Sequence, residues 1–207
     1  MGFETWYNLE IERIFSAPIV KGRFGILSYA MGQAKDPQGL VIECGVHEGK
    51  TINFLAALVL SVVYGFDSFQ GLPEDWIETH PKGTFDLAEV FPDMAENVCL
   101  YPGWFKDTLP RFVAKKAPFT IRLLHVDCEL YSSTVDVLEN LGPFLVSGSV
   151  ICFDELIHYP EHKEHEIKAW HEYCVKTGIQ ATPIARTGYQ QVAYIIDKAG
   201  TIKTPEN

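Results

Sequence analysis

Short apolar runs alternate with stretches of helical periodicity along most of the chain. The apolar runs predict five strands, at residues 40–46, 62–66, 97–101, 120–126 and 149–153. The segments between the runs predict helices at residues 52–60, 108–115, 132–141 and 164–177. Strands that alternate with helices favour a mostly parallel sheet with helices on both faces.

The remaining segments complete this pattern. Apolar residues near helical spacing predict one or two helices in residues 1–38, at Trp6, Leu9, Ile11, Ile14 and Phe15. Residues 180–185 and 192–196 favour a closing antiparallel hairpin. Residues 70–94 contain 3 prolines and show no regular hydrophobic periodicity, so they predict a long, partly helical excursion on the surface. The pattern therefore indicates an N-terminal helical region and one α/β domain, residues 39–203.

The composition is that of a soluble protein, with 47% hydrophobic and 21% charged residues and a formal net charge of −10. This charge argues against a nucleic-acid partner, because it repels a phosphate backbone. The longest apolar stretch, residues 54–63, is too short to span a membrane. Residues 1–10 do not resemble a signal peptide, and the 5 scattered cysteines form no CxxC pair. These features predict a cytoplasmic protein with no membrane or nucleic-acid partner.

Two of the predicted strands end in pairs of carboxylates. Asp127 and Glu129 follow the fourth run, and Asp154 and Glu155 follow the fifth. Uncompensated acids this close together repel one another, so their clustering indicates a partner. If the two strands are neighbours, four carboxylates meet at one edge of the sheet and suit a divalent cation, a proton acceptor, or both. The alternative interpretation is that these acids cap the helices that follow.

A glycine-rich turn, residues 43–49, joins the first strand to the next helix. Gly45 and Gly49 let the backbone pass close to a ligand, but their spacing is not that of a pyrophosphate-binding fingerprint. Glu43 would repel a pyrophosphate and better suits a ligand that carries an ammonium or sulfonium group. A plain structural turn is the alternative interpretation.

Two further strand ends suit a nucleoside. Asp67 closes the second strand, where an acid can bind both ribose hydroxyls; it could instead cap the next turn. Gly103 and Trp104 follow the third strand, and a glycine beside an aromatic residue can form a slot for an adenine ring. Trp104 could equally be a core residue. Together with the glycine-rich turn, Asp67 favours a ligand that contains a nucleoside.

Five motifs thus stand in order at the strand ends: Glu43-x-Gly45-Val46, Gly65-Phe66-Asp67-Ser68, Gly103-x-Phe105-x-Asp107-Thr108, His125-x-Asp127-x-Glu129 and Phe153-Asp154-Glu155. In this order they resemble the macrocin O-methyltransferase family, from about residue 40 onward. Members of that family are class I S-adenosylmethionine-dependent enzymes that methylate sugar hydroxyls in macrolide and aminocoumarin biosynthesis. The resemblance implies a Rossmann-like methyltransferase fold with a seven-stranded, mostly parallel sheet.

The resemblance also implies roles for individual residues. The methionine end of S-adenosylmethionine would lie against Glu43, Gly45, Val46 and Gly49, with Asp127 nearby. The ribose would lie against Asp67 and Ser68, and the adenine against Gly103 and Trp104. Mg²⁺ would be bound by Asp127, Asp154 and Glu155, with Glu129 as the general base. The chain departs from the family at Glu129 and Glu155, where aspartates are common.

The expected acceptor is a small molecule with vicinal hydroxyls, such as a sugar. Mg²⁺ would lower the pKa of one hydroxyl, and Glu129 would take its proton. Residues 1–38 are expected to form a cap and substrate wall, residues 70–94 a lid, and the protein a homodimer. Metal-independent methyl transfer, an NAD-dependent oxidoreductase and a non-catalytic nucleoside-binding protein remain as alternatives.

Overall fold

The computed structural model describes residues 2–88 and 90–201. Over these residues the α-helices are Phe3–Ser16 (α1), Gly22–Gln33 (α2), Lys50–Ala57 (α3), Phe105–Lys116 (α4), Tyr131–Leu141 (α5) and Glu166–Thr177 (α6). The strands are Leu40–Cys44 (β1), Val63–Asp67 (β2), Val98–Pro102 (β3), Ile121–Val126 (β4), Leu145–Phe153 (β5), Gln180–Arg186 (β6) and Val192–Lys198 (β7). Strand β5 begins earlier than its apolar run, because Leu145 already pairs with Ile121 of β4.

The strands form one sheet in the order β3-β2-β1-β4-β5-β7-β6. Strands β1 to β5 run parallel, and β7 is antiparallel to both of its neighbours. This confirms the predicted seven-stranded, mostly parallel sheet with an antiparallel C-terminal hairpin. Strand β1 pairs with β2 on one side and with β4 on the other. The strand order reverses at that point, and the carboxyl ends of such strands open a crevice where ligands bind.

Helices cover both faces of the sheet, as predicted. Val41 and Ile42 are both fully buried but belong to different core clusters, because successive side chains of a strand point to opposite faces. Helices α4, α5 and α6 pack on one face, and α2 and α3 pack on the other. Within the described residues, every helix is too short or too polar to cross a lipid bilayer.

The two N-terminal helices confirm the helical prediction for the start of the chain, but the buried face of α1 differs from the apolar pattern. Leu9 and Phe15 are 51% and 44% exposed, whereas Glu10 is buried. Glu10 accepts a hydrogen bond from Arg13, which also donates to the backbone carbonyl of Ala181 in β6. The buried face of α1 thus combines apolar residues such as Ile14 with this polar contact to the edge strand, and apolar spacing alone does not indicate the polar part.

Residues 70–94 form no helix over their described part, so the prediction of a partly helical excursion is wrong in that respect. Glu89 of this segment lies outside the described residues. Turns replace the expected helix, and the N–H of Leu72 donates to the carbonyl of Thr84 at 2.9 Å. Gly71 has a φ of 72°, and a Cβ there would lie 2.5 Å from the same carbonyl oxygen. The segment therefore closes on itself as a tight loop.

Candidate active site

A cavity of about 540 Å³ opens at the carboxyl ends of the central strands. The residues of the predicted site that line it are Gly45, Val46, Asp67, Ser68, Trp104, Asp127, Glu129 and Glu155. Those that do not line it are Glu43, Gly49, Gly103 and Asp154. The excursion closes one side of the cavity through Leu72, Glu74, Trp76 and Phe85. The fold thus gathers the separate strand-end motifs around one chamber.

Gly45 makes the closest backbone approach in the site. Its φ is 93°, and a Cβ at this position would lie 1.6 Å from the carbonyl oxygen of Asp127. A side chain would meet both a strained backbone conformation and a clash, so the position requires glycine. The chain that leaves β1 therefore passes directly over the end of β4.

Asp67 holds this turn with its carboxylate. Its Oδ2 accepts hydrogen bonds from the backbone N–H groups of Val46 and His47, at 2.7 and 2.8 Å. Its Oδ1 accepts one from the N–H of Phe69, at 2.7 Å. The capping role that the sequence left open is therefore present. A carboxylate has about four acceptor sites, so these three contacts leave capacity for a ligand hydroxyl.

Gly49 and Gly103, which were predicted to line the cofactor, shape turns and lie outside the cavity wall. Gly49 has a φ of 77° and precedes α3 as its N-cap residue. Gly103 has a φ of 131° and precedes Trp104, the N-cap residue of α4. The turn at Gly103 places Trp104 and Phe105 on the cavity wall.

Glu43, which was predicted to meet the cofactor, lies outside the cavity wall. It is fully buried, and it accepts hydrogen bonds from Thr51 at 3.0 Å and from Nδ1 of His125 at 2.8 Å. The Nε2 of His125 lies 3.5 Å from Oδ1 of Asp154. Burial opposes the charge on His125, but its contacts with Asp154 and Glu43 outweigh burial and raise its pKa to about 10. His125 is therefore a buried cation, and Glu43 supports it.

The two carboxylate pairs come together beside this cation. Burial and then repulsion by Asp154 raise the pKa of Asp127 to about 8. Burial followed by nearby acids also raises the pKa of Glu129 and that of Glu155. Asp154 is the exception, because its contact with His125 outweighs burial and holds its pKa at about 2. These shifts favour the protonated forms of Asp127, Glu129 and Glu155, and binding of a cation to these acids would release protons.

Sequence analysis missed Arg23, which reaches the cluster from α2. Its guanidinium pairs with Asp154 and lies 3.7 Å from Asp127 and 3.6 Å from Glu155. Arg23 precedes Asp154 by 131 positions, and no motif marks it. Only the packing of α2 against the sheet brings it to this place.

Two further residues that sequence analysis missed hold the second carboxylate pair in place. Glu166, buried in the first turn of α6, accepts a hydrogen bond from the N–H of Glu155 at 3.1 Å. Gln191, just before β7, donates to Oδ2 of Asp154 at 3.1 Å. The start of α6 contains several charged residues, and the sequence does not show that Glu166 is the one among them that is buried.

The residues of the cluster fit a divalent cation. Within the described chain, Glu155 Oε2 is buried without a hydrogen-bond partner, and Asp154 Oδ1 has only the 3.5 Å contact with His125. Two groups of donor atoms lie within 4.8 Å of one another: Asp127 with Glu129 and Glu155, and Asp127 with His125 and Asp154. A protonated His125 has no lone pair for a metal, so the four carboxylates of these groups, Asp127, Glu129, Asp154 and Glu155, are the donors available to a cation. Oxygen donors of this kind suit Mg²⁺.

The buried His125 cation leads us to expect a loss of stability at alkaline pH. Its pKa rises from 6.5, the ordinary value, to about 10 in the fold, so folding favours the protonated form. The stabilisation is complete below pH 6.5 and is lost as the pH rises towards 10, at up to about 1.4 kcal/mol per pH unit. Asp127 acts in the same direction up to its pKa of about 8. Thermal unfolding in EDTA between pH 6.5 and 10 measures the slope.

The variant His125→Gln separates this effect from general alkaline unfolding. It is expected to flatten the slope between pH 8 and 10, whereas His80→Gln, a change at a half-buried histidine of the excursion, should leave the slope unchanged. A melting temperature of the unaltered protein that stays constant across this range would contradict the buried-cation interpretation.

The sheet topology and the cavity at its switch point define the class of the fold, a Rossmann-like methyltransferase fold. The chain belongs to the Methyltransf_24 family, described as a methyltransferase domain, whose model matches residues 42–156. That span runs from β1 to the acids that follow β5, so it includes both carboxylate pairs.

Curated relatives are named as O-methyltransferases. Mycinamicin III 3''-O-methyltransferase of Micromonospora griseorubida is 30% identical, over 68% of this chain and 62% of the relative. Demethyldecarbamoylnovobiocin O-methyltransferase of Streptomyces niveus is 41% identical, over 61% of this chain and 56% of the relative. The chain thus spans little more than half the length of these relatives.

Solved structures share the fold. The calicheamicin methyltransferase CalS11 superimposes with a TM-score of 0.68 at 24% identity, covering 84% of this chain and 77% of that one. The O-methyltransferase NovP has a TM-score of 0.59 at 24% identity, covering 87% and 80%. At this level of identity the similarity concerns the architecture alone.

Proposed function

We propose that the protein is an S-adenosylmethionine-dependent O-methyltransferase of the macrocin type. It would use Mg²⁺ to methylate a hydroxyl of a small molecule, a sugar or another vicinal diol. The observation that carries the proposal is the carboxylate group at the cavity, where oxygens of Asp127, Glu129 and Glu155 lie within 4.8 Å of one another. The names of the curated relatives support an oxygen acceptor.

The cofactor would occupy the part of the cavity walled by the ends of β1, β2 and β3. Gly45 and Val46 are assigned to its methionine end, Asp67 and Ser68 to the ribose, and Trp104 to the adenine. S-adenosylmethionine supplies the methyl group as an electrophilic sulfonium. The bare backbone at Gly45 supports the assignment, because a ligand can approach closely where no side chain intervenes.

Asp127, Asp154 and Glu155 are assigned as metal ligands and Glu129 as the proton acceptor. A bound Mg²⁺ lowers the pKa of a coordinated hydroxyl. Burial and Asp127 raise the pKa of Glu129, so its carboxylate binds a proton more strongly than an exposed glutamate does. Its backbone is held at a φ of 59°, an uncommon conformation for a residue with a side chain. Such conformations cluster at functional sites, which supports a direct role.

The segments around the cavity are assigned to substrate enclosure. Residues 1–38 would form a wall that carries Arg23, and residues 70–94 a lid. Residues 39–203 would form the methyltransferase domain, of which residues 89, 202 and 203 lie outside the described residues. A hydrogen bond from Ser132 to Glu74 joins the excursion to α5 at an exposed position, which suits a contact that opens and closes.

Metal-independent methyl transfer is a second candidate, and the position of Arg23 favours it. A guanidinium that lies within 3.7 Å of three acids already supplies positive charge at the place assigned to the metal. In that case Glu129 would act without a metal, and EDTA would not affect the reaction.

Calorimetric titration with S-adenosylhomocysteine, the product of the cofactor, tests the proposal first. We expect binding in the micromolar range, no binding of NAD, and a separate binding heat from Mg²⁺ that EDTA abolishes. Failure of S-adenosylhomocysteine to bind, with or without Mg²⁺, would overturn the proposed function. Methyl transfer that persists in EDTA would instead select the metal-independent reaction.

A further inference from the structure

Arg23 makes a contact that the proposed reaction does not require. It stands at the second position of α2, and its side chain is 43% exposed at the cavity. The guanidinium pairs with Asp154, and its nitrogens lie 3.7 Å from Asp127 Oδ2 and 3.6 Å from Glu155 Oε1. One cation of the chain thus contacts all three acids that are assigned to the metal.

The backbone before Arg23 is anchored to the sheet. The N–H of Val20 donates to the carbonyl of Arg186 at 2.8 Å, and the N–H of Arg186 donates to the carbonyl of Pro18 at 3.0 Å. Gly22, with a φ of 71°, then turns the chain into α2. Because the backbone is held at β6, the long side chain of Arg23 is the part that can change position.

The contact leaves the acids only partly satisfied. Oδ2 of Asp154 meets Arg23 and Gln191, and its Oδ1 lies 3.5 Å from Nε2 of His125, whereas Glu155 Oε2 is buried without a hydrogen-bond partner within the described chain. Asp154 is 0% exposed and Glu155 is 5% exposed, so bulk water does not reach these oxygens freely. A divalent cation and its water ligands would satisfy oxygens that a single guanidinium leaves unpaired.

A guanidinium and a divalent cation cannot both occupy these acids. They would share oxygens and stand a few ångströms apart, where two positive charges repel strongly in a partly buried site. We therefore propose that Arg23 is a built-in competitor of the metal. Its guanidinium occupies the three carboxylates when the metal is absent and leaves them when a divalent cation binds. This inference rests on the proposed metal-dependent function.

The variant Arg23→Gln tests the competition without an activity assay. Calorimetric titration is expected to show that it binds Mg²⁺ about 10-fold or more tightly than the unaltered protein, because the competing charge is gone. Lys21→Gln is the matched control, since it removes one positive charge from an exposed side chain two residues earlier. It corrects for the change in net charge, and its Mg²⁺ affinity is expected to change by less than about 2-fold.

Thermal unfolding supplies a second readout. Without metal, Arg23→Gln is expected to melt below Lys21→Gln, because the buried Asp154 loses one of its two cationic partners while His125 remains. Saturating Mg²⁺ should raise the melting temperature of Arg23→Gln by more than that of Lys21→Gln. If Arg23→Gln does not fold, Arg23→Lys keeps a cation on a side chain that cannot bridge three acids, and it should still bind Mg²⁺ more tightly than the unaltered protein.

The outcomes distinguish a failure of the proposed competition from a failure of the proposed metal-dependent function. Equal Mg²⁺ affinity of Arg23→Gln and Lys21→Gln, or weaker binding by Arg23→Gln, overturns the competition and leaves the metal function standing. If Arg23→Gln is the only one of these proteins that binds Mg²⁺, the competition is supported, and Arg23 excludes the metal from the site in the unaltered protein. If none of these proteins binds Mg²⁺ while all bind S-adenosylhomocysteine, both the metal function and the inference are overturned.

Discussion

Replacing Asp127 by asparagine is expected to weaken Mg²⁺ binding by about 100-fold or more and to reduce methyl transfer by a similar or larger factor. Asp127 belongs to both groups of donor atoms found within the described chain. Asparagine keeps the size of the side chain but removes the charge that holds a divalent cation. Calorimetric titration measures the binding, and release of S-adenosylhomocysteine measures transfer to any acceptor that the unaltered protein methylates.

The same substitution is expected to raise the melting temperature of the metal-free protein. Burial and repulsion by Asp154 raise the pKa of Asp127 to about 8, so the fold disfavours its carboxylate at neutral pH. The amide of asparagine is uncharged, so it does not carry this cost of burying a charge. Because the fold becomes more stable while metal binding is lost, the two measurements together separate a missing ligand from a damaged fold.

Asp136→Asn is the matched control for Asp127→Asn. Asp136 lines the same cavity from α5. Burial and then Glu139 raise its pKa, and the charges that act on it, Glu139, Lys106 and Asp107, lie outside the carboxylate cluster. Its Mg²⁺ affinity is expected to change by less than about 3-fold. If Asp127→Asn bound Mg²⁺ as tightly as Asp136→Asn does, the assignment of Asp127 as a ligand would fail.

Gly45→Ala is expected to destabilise the protein by about 3 kcal/mol or more and to abolish S-adenosylhomocysteine binding in the folded fraction. The added Cβ would lie 1.6 Å from the carbonyl oxygen of Asp127, and the φ of 93° disfavours any side chain. Relief of this clash requires β1 and β4 to separate at the point where the cavity opens. Urea unfolding measures the loss of stability, and calorimetry measures the loss of binding.

Gly32→Ala provides a control for Gly45→Ala with the same chemical change. Gly32 lies in α2, and a Cβ there meets nothing within 4 Å. Alanine should therefore stabilise the helix by about 0.5–1 kcal/mol, because it loses less backbone entropy than glycine on folding. If both variants unfolded at the same urea concentration, the close approach at Gly45 would be refuted.

The order and type of the elements were predictable because they depend on local patterns. The apolar runs that end at Asp67, at Val126 and at Phe153 became β2, β4 and β5, since a strand that is buried on both faces requires a continuous apolar run. The excursion was not predictable in the same way. Its backbone is held by contacts such as that between Leu72 and Thr84, which no periodicity reports.

The same distinction applies to the candidate site, because some of its features follow from local sequence and others depend on tertiary packing. Acids at strand ends were visible in the chain, and the carboxyl ends of parallel strands meet at one edge, so the meeting of Asp127 with Glu155 could be anticipated. The burial of Glu43 could not, because it depends on His125 and Thr51 filling the space between β1 and the rest of the core. Local sequence carries no measure of how far a side chain lies from solvent.

The sequence by itself determined which segments become strands and helices, which of them end in acids or glycines, and the family to which their order points. Only the tertiary structure decided which charges share a site. Arg23 arrives from α2 and Glu166 from α6, and together with His125 they set the electrostatics of the carboxylate cluster. The physical reason is that secondary structure follows short-range periodicity, whereas the energy of a buried charge depends on its neighbours within a few ångströms, and these come from distant parts of the chain.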